Sequence, residues 1–118
     1  MLYFDRSRGI VRGVVKFGAD VEGPPRCVHG GCSAAVVDGC LGVLAYKVAL
    51  MPCLTVNLNI NYRNKIPLGS AVAVECKLDK IEGKKVFLSF TVSEISSSRT
   101  ILLDGTALFL KADVSFIM

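Results

Sequence analysis

One carboxylate and one pair of glycines stand close enough in the sequence to act together on a carbonyl compound. Asp38 interrupts a run of small and apolar residues, and Gly30, the first glycine of the pair, precedes it by eight positions. Burying a lone carboxylate is costly unless it is paired, hydrogen-bonded or used in chemistry. Asp38 is therefore a candidate general base or nucleophile. The structural alternative is an aspartate that caps or pins a loop.

The segment His29-Gly30-Gly31 begins a long apolar stretch that predicts a helix from Gly30 to about Val48. Backbone N–H groups at a helix start lack intrahelical partners, and the helix dipole favours negative charge there. Glycine lets a substrate carbonyl approach these donors, so that the segment predicts an oxyanion site. A plain turn would use the same glycines. His29 is interpreted as a residue that fixes the loop or lines the site.

The spacing between Gly30 and Asp38 has a consequence for how the site is assembled. Eight residues on one helix separate the two groups by about 12 Å, whereas a base or nucleophile must come within roughly 3–3.5 Å of the reacting carbon. One helix cannot bring both groups to one carbonyl. If both act, Gly30 of one chain meets Asp38 of a second chain, which predicts two equivalent sites across a twofold dimer.

The remaining chemistry favours a thioester as the substrate. An alkyl thiol has a pKa near 8.5, so it leaves without a general acid, and one carboxylate with one oxyanion hole is enough. An amide would require an acid as well, and no second candidate stands near. Thr55, on the next predicted strand, is a candidate to hold the attacking water or to orient Asp38.

The elements around this segment indicate an α+β fold, with one long helix wrapped by one curved antiparallel sheet of about five strands in a single domain, 1–118. The helix is apolar nearly all round, which predicts burial on most sides. Alternation after Pro52 places Leu54, Val56, Leu58, Ile60 and Tyr62 on one strand face and Thr55, Asn57, Asn59 and Asn61 on the other. A first strand at Ile10–Phe17, a turn or loop at Glu22–Pro25 and four strands in a meander after the helix complete the prediction; the last four are Leu54–Tyr62, Ala71–Ile81, Val86–Val92 and Thr100–Leu110.

Composition excludes several classes of function. The formal charge of +4 is modest, and aromatic residues do not alternate with Lys or Arg as on a nucleic-acid surface. Five cysteines without a C-x-x-C pair and a single histidine do not provide the usual spacing of a zinc site. We interpret the cysteines as reduced thiols, with Cys32 and Cys40 as small core residues. The first residues, Met1 to Arg8, are not typical of a signal or transit peptide.

At this point the residues resemble a known family, the hotdog-fold acyl-CoA thioesterases. The match rests on His29-Gly30-Gly31 with Asp38 and on the run Leu54–Arg63 with Ile66-Pro67-Leu68. Within the family the chain is most similar to the subgroup of thioesterase superfamily members 4 and 5, which share segments like Glu22–Pro25 and Leu78–Lys84. Arg26, Cys32 and Cys40 depart from the pattern expected at their positions, which leaves acyl-chain preference open.

The resemblance implies a homodimer, with dimers of dimers as a further assembly, that hydrolyses medium- to long-chain fatty acyl-CoA without a metal or a separate cofactor. It implies that the Gly30 N–H polarises the thioester carbonyl, that Asp38 of the partner chain is the base or nucleophile, that Thr55 positions water and that His29 supports the site. Candidate substrate-binding residues are Gly31, Asn57, Asn59, Arg63, Lys84 and Lys85. Charge alone suggests that Arg63, Lys65, Lys84 and Lys85 attract the CoA phosphates. The implied location is mitochondrial or cytoplasmic.

Two alternatives belong to other classes of function. The subgroup resemblance implies association with a protein kinase, in which case the chain is a non-catalytic regulatory module. A hotdog dehydratase acting on acyl thioesters is the other alternative, but it normally pairs a histidine with an acid beside the reacting carbon. The only histidine, His29, precedes the helix.

Overall fold

One helix and six strands make up the part of the chain that the computed structural model describes, which is residues 2–17, 30–67, 69–95 and 99–112. The elements are β1 (Leu2–Asp5), β2 (Ile10–Lys16), α1 (Gly30–Ala49), β3 (Cys53–Tyr62), β4 (Ala71–Glu82), β5 (Lys85–Glu94) and β6 (Ile101–Lys111). The predicted helix and five strands are confirmed to within a few residues. The predicted loop at Glu22–Pro25 and the residue His29 lie outside the described ranges.

The strands form one antiparallel sheet in the order β1-β2-β4-β5-β6-β3, which is the predicted hotdog architecture. Two expectations need correction. A sixth strand, β1, precedes the others; its four residues are too short for alternation to identify. Only β4, β5 and β6 form the meander, because β3 pairs with β6 and lies at the sheet edge. Alternation specifies that a segment is a strand, but it does not specify the neighbour with which the strand pairs.

Helix α1 crosses the sheet and buries one side, not most of its surface as predicted. The buried residues follow helical spacing and pack against the inner face of the sheet: Ser33, Val37, Cys40, Leu41, Leu44 and Ala45. The opposite side is also apolar but exposed, and it carries Ala35, Gly39, Val43 and Tyr46. By length and composition alone the helix is apolar enough to cross a membrane. Its packing against five strands is that of a core helix.

A bulge in β3 changes which residues share a face. The pairing of β3 with β6 shifts between Thr55 and Asn57, so that Val56 is the extra residue. Asn57, Asn59 and Asn61 lie together on the outer face, as predicted. Thr55 instead pairs with the buried Phe109 and lies on the inner side, toward α1. The prediction that Thr55 shares a face with the asparagines is therefore wrong, and the bulge is the reason.

The cysteines of the described ranges are free thiols: Cys32, Cys40, Cys53 and Cys76. Cys40 is buried, as predicted, whereas Cys32 is only half-buried against the core. Burial raises the pKa of the Cys76 thiol to about 12, with the nearby Cys40 adding to the effect. Both core thiols therefore stay protonated near neutral pH and pack as small apolar groups.

Candidate functional site

The structure joins Asp38 to Thr55. Asp38 is half-buried in the middle of α1, and Thr55 lies on the adjacent strand β3, just before the bulge. The Thr55 hydroxyl donates a hydrogen bond of 2.9 Å to the Asp38 carboxylate oxygen Oδ1. This contact leaves the second carboxylate oxygen, Oδ2, to accept a proton or to attack. Thr55 therefore orients Asp38, one of the two roles that the sequence predicts for it.

The start of α1 is held by two side chains that sequence reasoning does not identify. The Ser33 hydroxyl, one turn along the helix, donates to the Gly30 carbonyl at 2.9 Å. The Tyr62 hydroxyl, at the end of β3, donates to the same oxygen at 3.1 Å. The Ser33 bond closes the first turn within α1, and the Tyr62 bond attaches the first helical residue to β3, which fixes the direction of the outermost N–H groups. Tyr62 ends the asparagine-rich run that contributes to the family resemblance, and this position is a signal that the residue matters. The alternating pattern indicated only that Tyr62 lies on the apolar face of the strand.

Replacing Tyr62 with Phe tests whether this anchor matters to the predicted oxyanion site. The variant keeps the ring, which lies 3.7 Å from the position of a Cβ added at Gly30, and loses only the hydrogen bond to its carbonyl. One hydrogen bond contributes about 1 kcal/mol, so we expect about a fivefold loss in kcat for the thioester hydrolysis that the resemblance implies. Steady-state kinetics of thiol release measure kcat. An unchanged kcat would show that the Tyr62 hydrogen bond does not contribute to the site.

The two predicted catalytic groups stay apart within one chain. Helix α1 is continuous from Gly30 to Ala49, so the rise per residue keeps Gly30 about 12 Å from Asp38. A glycine at position 39, beside Asp38, faces open space in which an added Cβ meets nothing within 4 Å. The single chain therefore holds the two predicted catalytic groups at separate places.

The predicted substrate-binding residues do not form one cluster in the chain. Gly31 is exposed at the helix start, whereas Asn57 and Asn59 lie on the outer face of the sheet, where the Asn59 amide donates to the Asn57 side-chain oxygen at 2.7 Å. An open groove of about 590 Å³ passes these asparagines and also contacts Phe87 and Leu108. This groove is on the opposite face of the sheet from Asp38.

The basic residues proposed for the CoA phosphates lie at opposite ends of β3 and β6. Arg63 follows β3 and forms an ion pair of 2.8 Å with Asp104. Hydrogen bonds from Arg63, and then from Asn61, hold the pKa of Asp104 below its usual value. Lys84 and Lys85 are exposed at the β4–β5 turn, where Lys85 pairs with Leu110 at the far end of β6. Arg63 is therefore already neutralised, while the two lysines are exposed.

Comparisons with known proteins identify a family. The model of the family described as "Thioesterase superfamily" matches residues 27–96. The chain is 42% identical to the acyl-coenzyme A thioesterase THEM4 of Mus musculus over 81% of its own length and 40% of that protein. It is 34% identical to the acyl-coenzyme A thioesterase THEM5 of Homo sapiens over 80% of its own length and 37% of that protein.

Solved structures show the same fold. A crystal structure of a thioesterase superfamily protein superposes with a TM-score of 0.81 at 28% identity, covering 92% of this chain and 54% of the other. The chain spans less than half the length of the two curated relatives above. The matched family region contains Gly30, Asp38 and Thr55, and the last two are joined by a hydrogen bond. The chain belongs to the thioesterase superfamily.

Proposed function

We propose that this chain is the hydrolytic domain of an acyl-CoA thioesterase, acting on medium- to long-chain fatty acyl-CoA. The observation that carries the proposal is the hydrogen bond between Thr55 and Asp38 at the centre of α1. A carboxylate that is oriented on one oxygen and available on the other suits a general base or a nucleophile. The names of the THEM4 and THEM5 relatives support the same class of substrate.

The mechanism follows from the groups that the fold positions. The backbone N–H at Gly30 donates to the thioester oxygen and stabilises the negative charge that develops there. Asp38 either takes a proton from water as the water attacks the carbonyl carbon, or attacks this carbon itself to give an anhydride that water then opens. The C–S bond breaks, and the CoA thiolate leaves without a general acid. Both routes give a free fatty acid and CoA.

The active site is assembled from two chains in this proposal. Support comes from the apolar side of α1 that the single chain leaves exposed, which includes Val43 and Tyr46. The edge strand β3 carries exposed Leu54 and Val56 and is open to a further strand. Glycine in a helix interior costs about 1 kcal/mol, and within the described residues Gly39 has no close neighbour that requires it. A second copy packed there accounts for all three features.

Mixing two inactive variants tests the shared site. Asp38→Asn removes the carboxylate. Gly30→Pro removes the N–H donor, and proline is tolerated at the first helical position. In a mixed dimer, one site combines the intact Gly30 of the first chain with the intact Asp38 of the second. After unfolding and refolding of an equimolar mixture, we expect about a quarter of wild-type activity, since half of the dimers are mixed and each has one complete site.

The control mixes Asp38→Asn with the double variant Asp38→Asn/Gly30→Pro, in which no combination completes a site. This mixture must remain inactive. If the first mixture stays inactive while size-exclusion chromatography and circular dichroism show folded dimers, the two groups do not serve one site across chains, and the two-chain mechanism is wrong.

Several finer predictions from the sequence are part of this proposal. A hydrolysis series over acyl-CoA chain lengths determines the substrate preference, and the roles of His29, Gly31, Asn57, Asn59, Lys84 and Lys85 are tested by the same assay. Mitochondrial or cytoplasmic location and a dimer of dimers remain predictions from the resemblance. So does binding to a protein kinase, which would survive in Asp38→Asn if it is independent of hydrolysis.

A further inference from the structure

One end of the domain concentrates exposed basic side chains. The β1–β2 turn and the end of α1 line one groove there, and the Gly9 carbonyl accepts a hydrogen bond from the Leu78 N–H of β4. The β4–β5 turn lies farther along β4 toward the same end of the sheet. We call this end the basic pole and define it by Arg6, Arg8, Lys47, Lys77, Lys84 and Lys85. All six side chains are exposed, and none takes part in the ion pairs found in the described ranges.

Three acidic residues lie at this end: Asp5, Asp79 and Glu82. The hydrogen bond from the Ser7 side chain and, as a smaller effect, the charge of Arg8 lower the pKa of Asp5. The Asp5 carboxylate accepts hydrogen bonds from the Ser7 hydroxyl and from the backbone N–H groups of Ser7 and Arg8. Glu82 pairs with Lys80 at 3.0 Å, and Asp79 accepts a hydrogen bond from Ser89. With Lys80, seven cations stand against the three carboxylates Asp5, Asp79 and Glu82, so these residues carry a net charge of +4, equal to the formal net charge of the entire chain. The described part of the surface is therefore strongly polarised toward one end.

The basic pole also has an apolar component. A groove of about 370 Å³ has Arg6, Arg8 and Lys47 on its rim and contacts Phe4, Val48, Leu50 and Leu78. Leu50 directly follows α1 and is 72% exposed, and Ile81 on β4 is 38% exposed. Exposed aliphatic side chains beside basic residues are typical of surfaces that enter the interface of an anionic membrane.

Besides its exposure to water, the backbone conformation of Leu50 makes leucine unfavourable at this position. Its φ is 57°, in the left-handed region, and its N–H closes the helix by donating to the Tyr46 carbonyl at 2.8 Å. Glycine or asparagine is the usual residue at such a helix end, because a side chain with a Cβ is strained there. An exposed leucine in this conformation gains nothing from packing within the described chain. Contact with lipid would give its side chain a role.

We propose that the basic pole docks on the surface of a membrane that contains anionic lipid, with Leu50 entering the interface. The phosphate groups of the lipids neutralise the six cations, and the groove beside Leu50 accepts the upper part of an acyl chain. Long-chain acyl-CoA is itself an amphiphile that partitions into membranes, so docking brings the domain to a surface where such molecules collect. The docking does not depend on Asp38. Lys84 and Lys85 are also candidates for CoA binding in the proposed function, and competition by free CoA distinguishes the two roles.

Vesicle co-sedimentation of the 118-residue protein tests the proposal. We expect binding to phosphatidylcholine vesicles that contain phosphatidylglycerol, weaker binding as salt is raised, and little binding to phosphatidylcholine alone. The variant Arg8→Gln/Lys47→Gln should bind about thirtyfold more weakly. The matched control is Lys16→Gln/Arg99→Gln, which removes the same charge from the opposite end and should change binding by less than about threefold.

Leu50→Gly separates lipid contact from a structural role. Because glycine accepts the positive φ, the melting temperature should stay the same or rise, while vesicle binding falls. A purely structural leucine would not give this combination. Equal binding of the two charge variants, or strong binding to neutral vesicles, would overturn the proposal. Release of the protein from vesicles by saturating free CoA would also overturn it, since the basic pole would then be a CoA phosphate site. Each readout is independent of hydrolysis.

Discussion

Asp38→Asn is expected to lower kcat for acyl-CoA hydrolysis by at least about a hundredfold while the fold stays intact. The amide has nearly the shape of the carboxylate and can still accept the hydrogen bond from Thr55, so that the helix and the strand β3 keep their contact. An amide neither removes a proton from water nor attacks a carbonyl carbon at a useful rate. The substitution therefore removes the catalytic carboxylate and leaves the fold intact. Release of CoA thiol from myristoyl- or palmitoyl-CoA measures it.

A pair of substitutions at Thr55 provides the matched comparison. Thr55→Ser keeps a hydroxyl that can donate to Asp38, and we expect nearly wild-type turnover. Thr55→Val keeps the shape and loses the donor, and we expect a loss of about tenfold or more, because hydrogen bonds to charged groups contribute about 1.5–3 kcal/mol. Undiminished turnover in Asp38→Asn would contradict the assignment of the base. Equal turnover in the two Thr55 variants would show that the hydroxyl does not orient Asp38 during catalysis.

Gly105→Ala is expected to lower the stability of this domain strongly. Gly105 lies in β6 between Ile60 of β3 and Phe90 of β5. An added Cβ would overlap the backbone carbonyl oxygen of Asn59, and it would lie 2.9 Å from the carbonyl carbon of this residue and 3.0 Å from Phe90 Cε1. Backbone in a paired strand cannot move away without loss of the hydrogen bonds that attach β3 to the sheet.

The expected cost is about 3 kcal/mol or more, at the upper end for overpacking, which corresponds to a fall in melting temperature of about 10 °C. Thermal unfolding followed by circular dichroism at one fixed protein concentration measures it. Gly42→Ala is the matched control, because its added Cβ meets only Phe109 at an ordinary 4.0 Å and alanine favours a helix. We expect the control to be neutral or slightly stabilised. A melting temperature of Gly105→Ala equal to that of the control would show that β6 and β3 separate easily.

The effect of Gly105→Ala reaches the candidate site through β3. This edge strand carries Thr55 at its start and Tyr62 at its end, and it is attached to the described sheet by its pairing with β6. Loosening β3 moves both residues away from α1, so activity should fall with stability. In Asp38→Asn activity falls while stability does not. The two substitutions therefore separate the chemical role of the site from the support that the sheet gives it.

The sequence by itself determined the elements and the candidate chemistry of this protein. Apolar spacing identified the helix from Gly30, alternation identified five strands, and the carboxylate at Asp38 stood out because its neighbours are small and apolar. The rise of an α-helix, applied to the sequence spacing alone, separates Gly30 from Asp38 by about 12 Å. These features are local, since each depends on residues within a few turns or a few strand positions of one another.

The tertiary structure determined the strand pairing, the exposed surfaces and the side-chain contacts, which local sequence patterns do not specify. It placed β3 beside β6, exposed one apolar side of α1, and brought Tyr62 to the carbonyl of Gly30. Above all, one extra residue at Val56 turned Thr55 from the asparagine face toward Asp38. A strand changes face with a single bulged residue, and whether a bulge forms depends on the partner strand. Strand pairing is a long-range choice, and therefore the orienting contact of the site could be seen only in the folded chain.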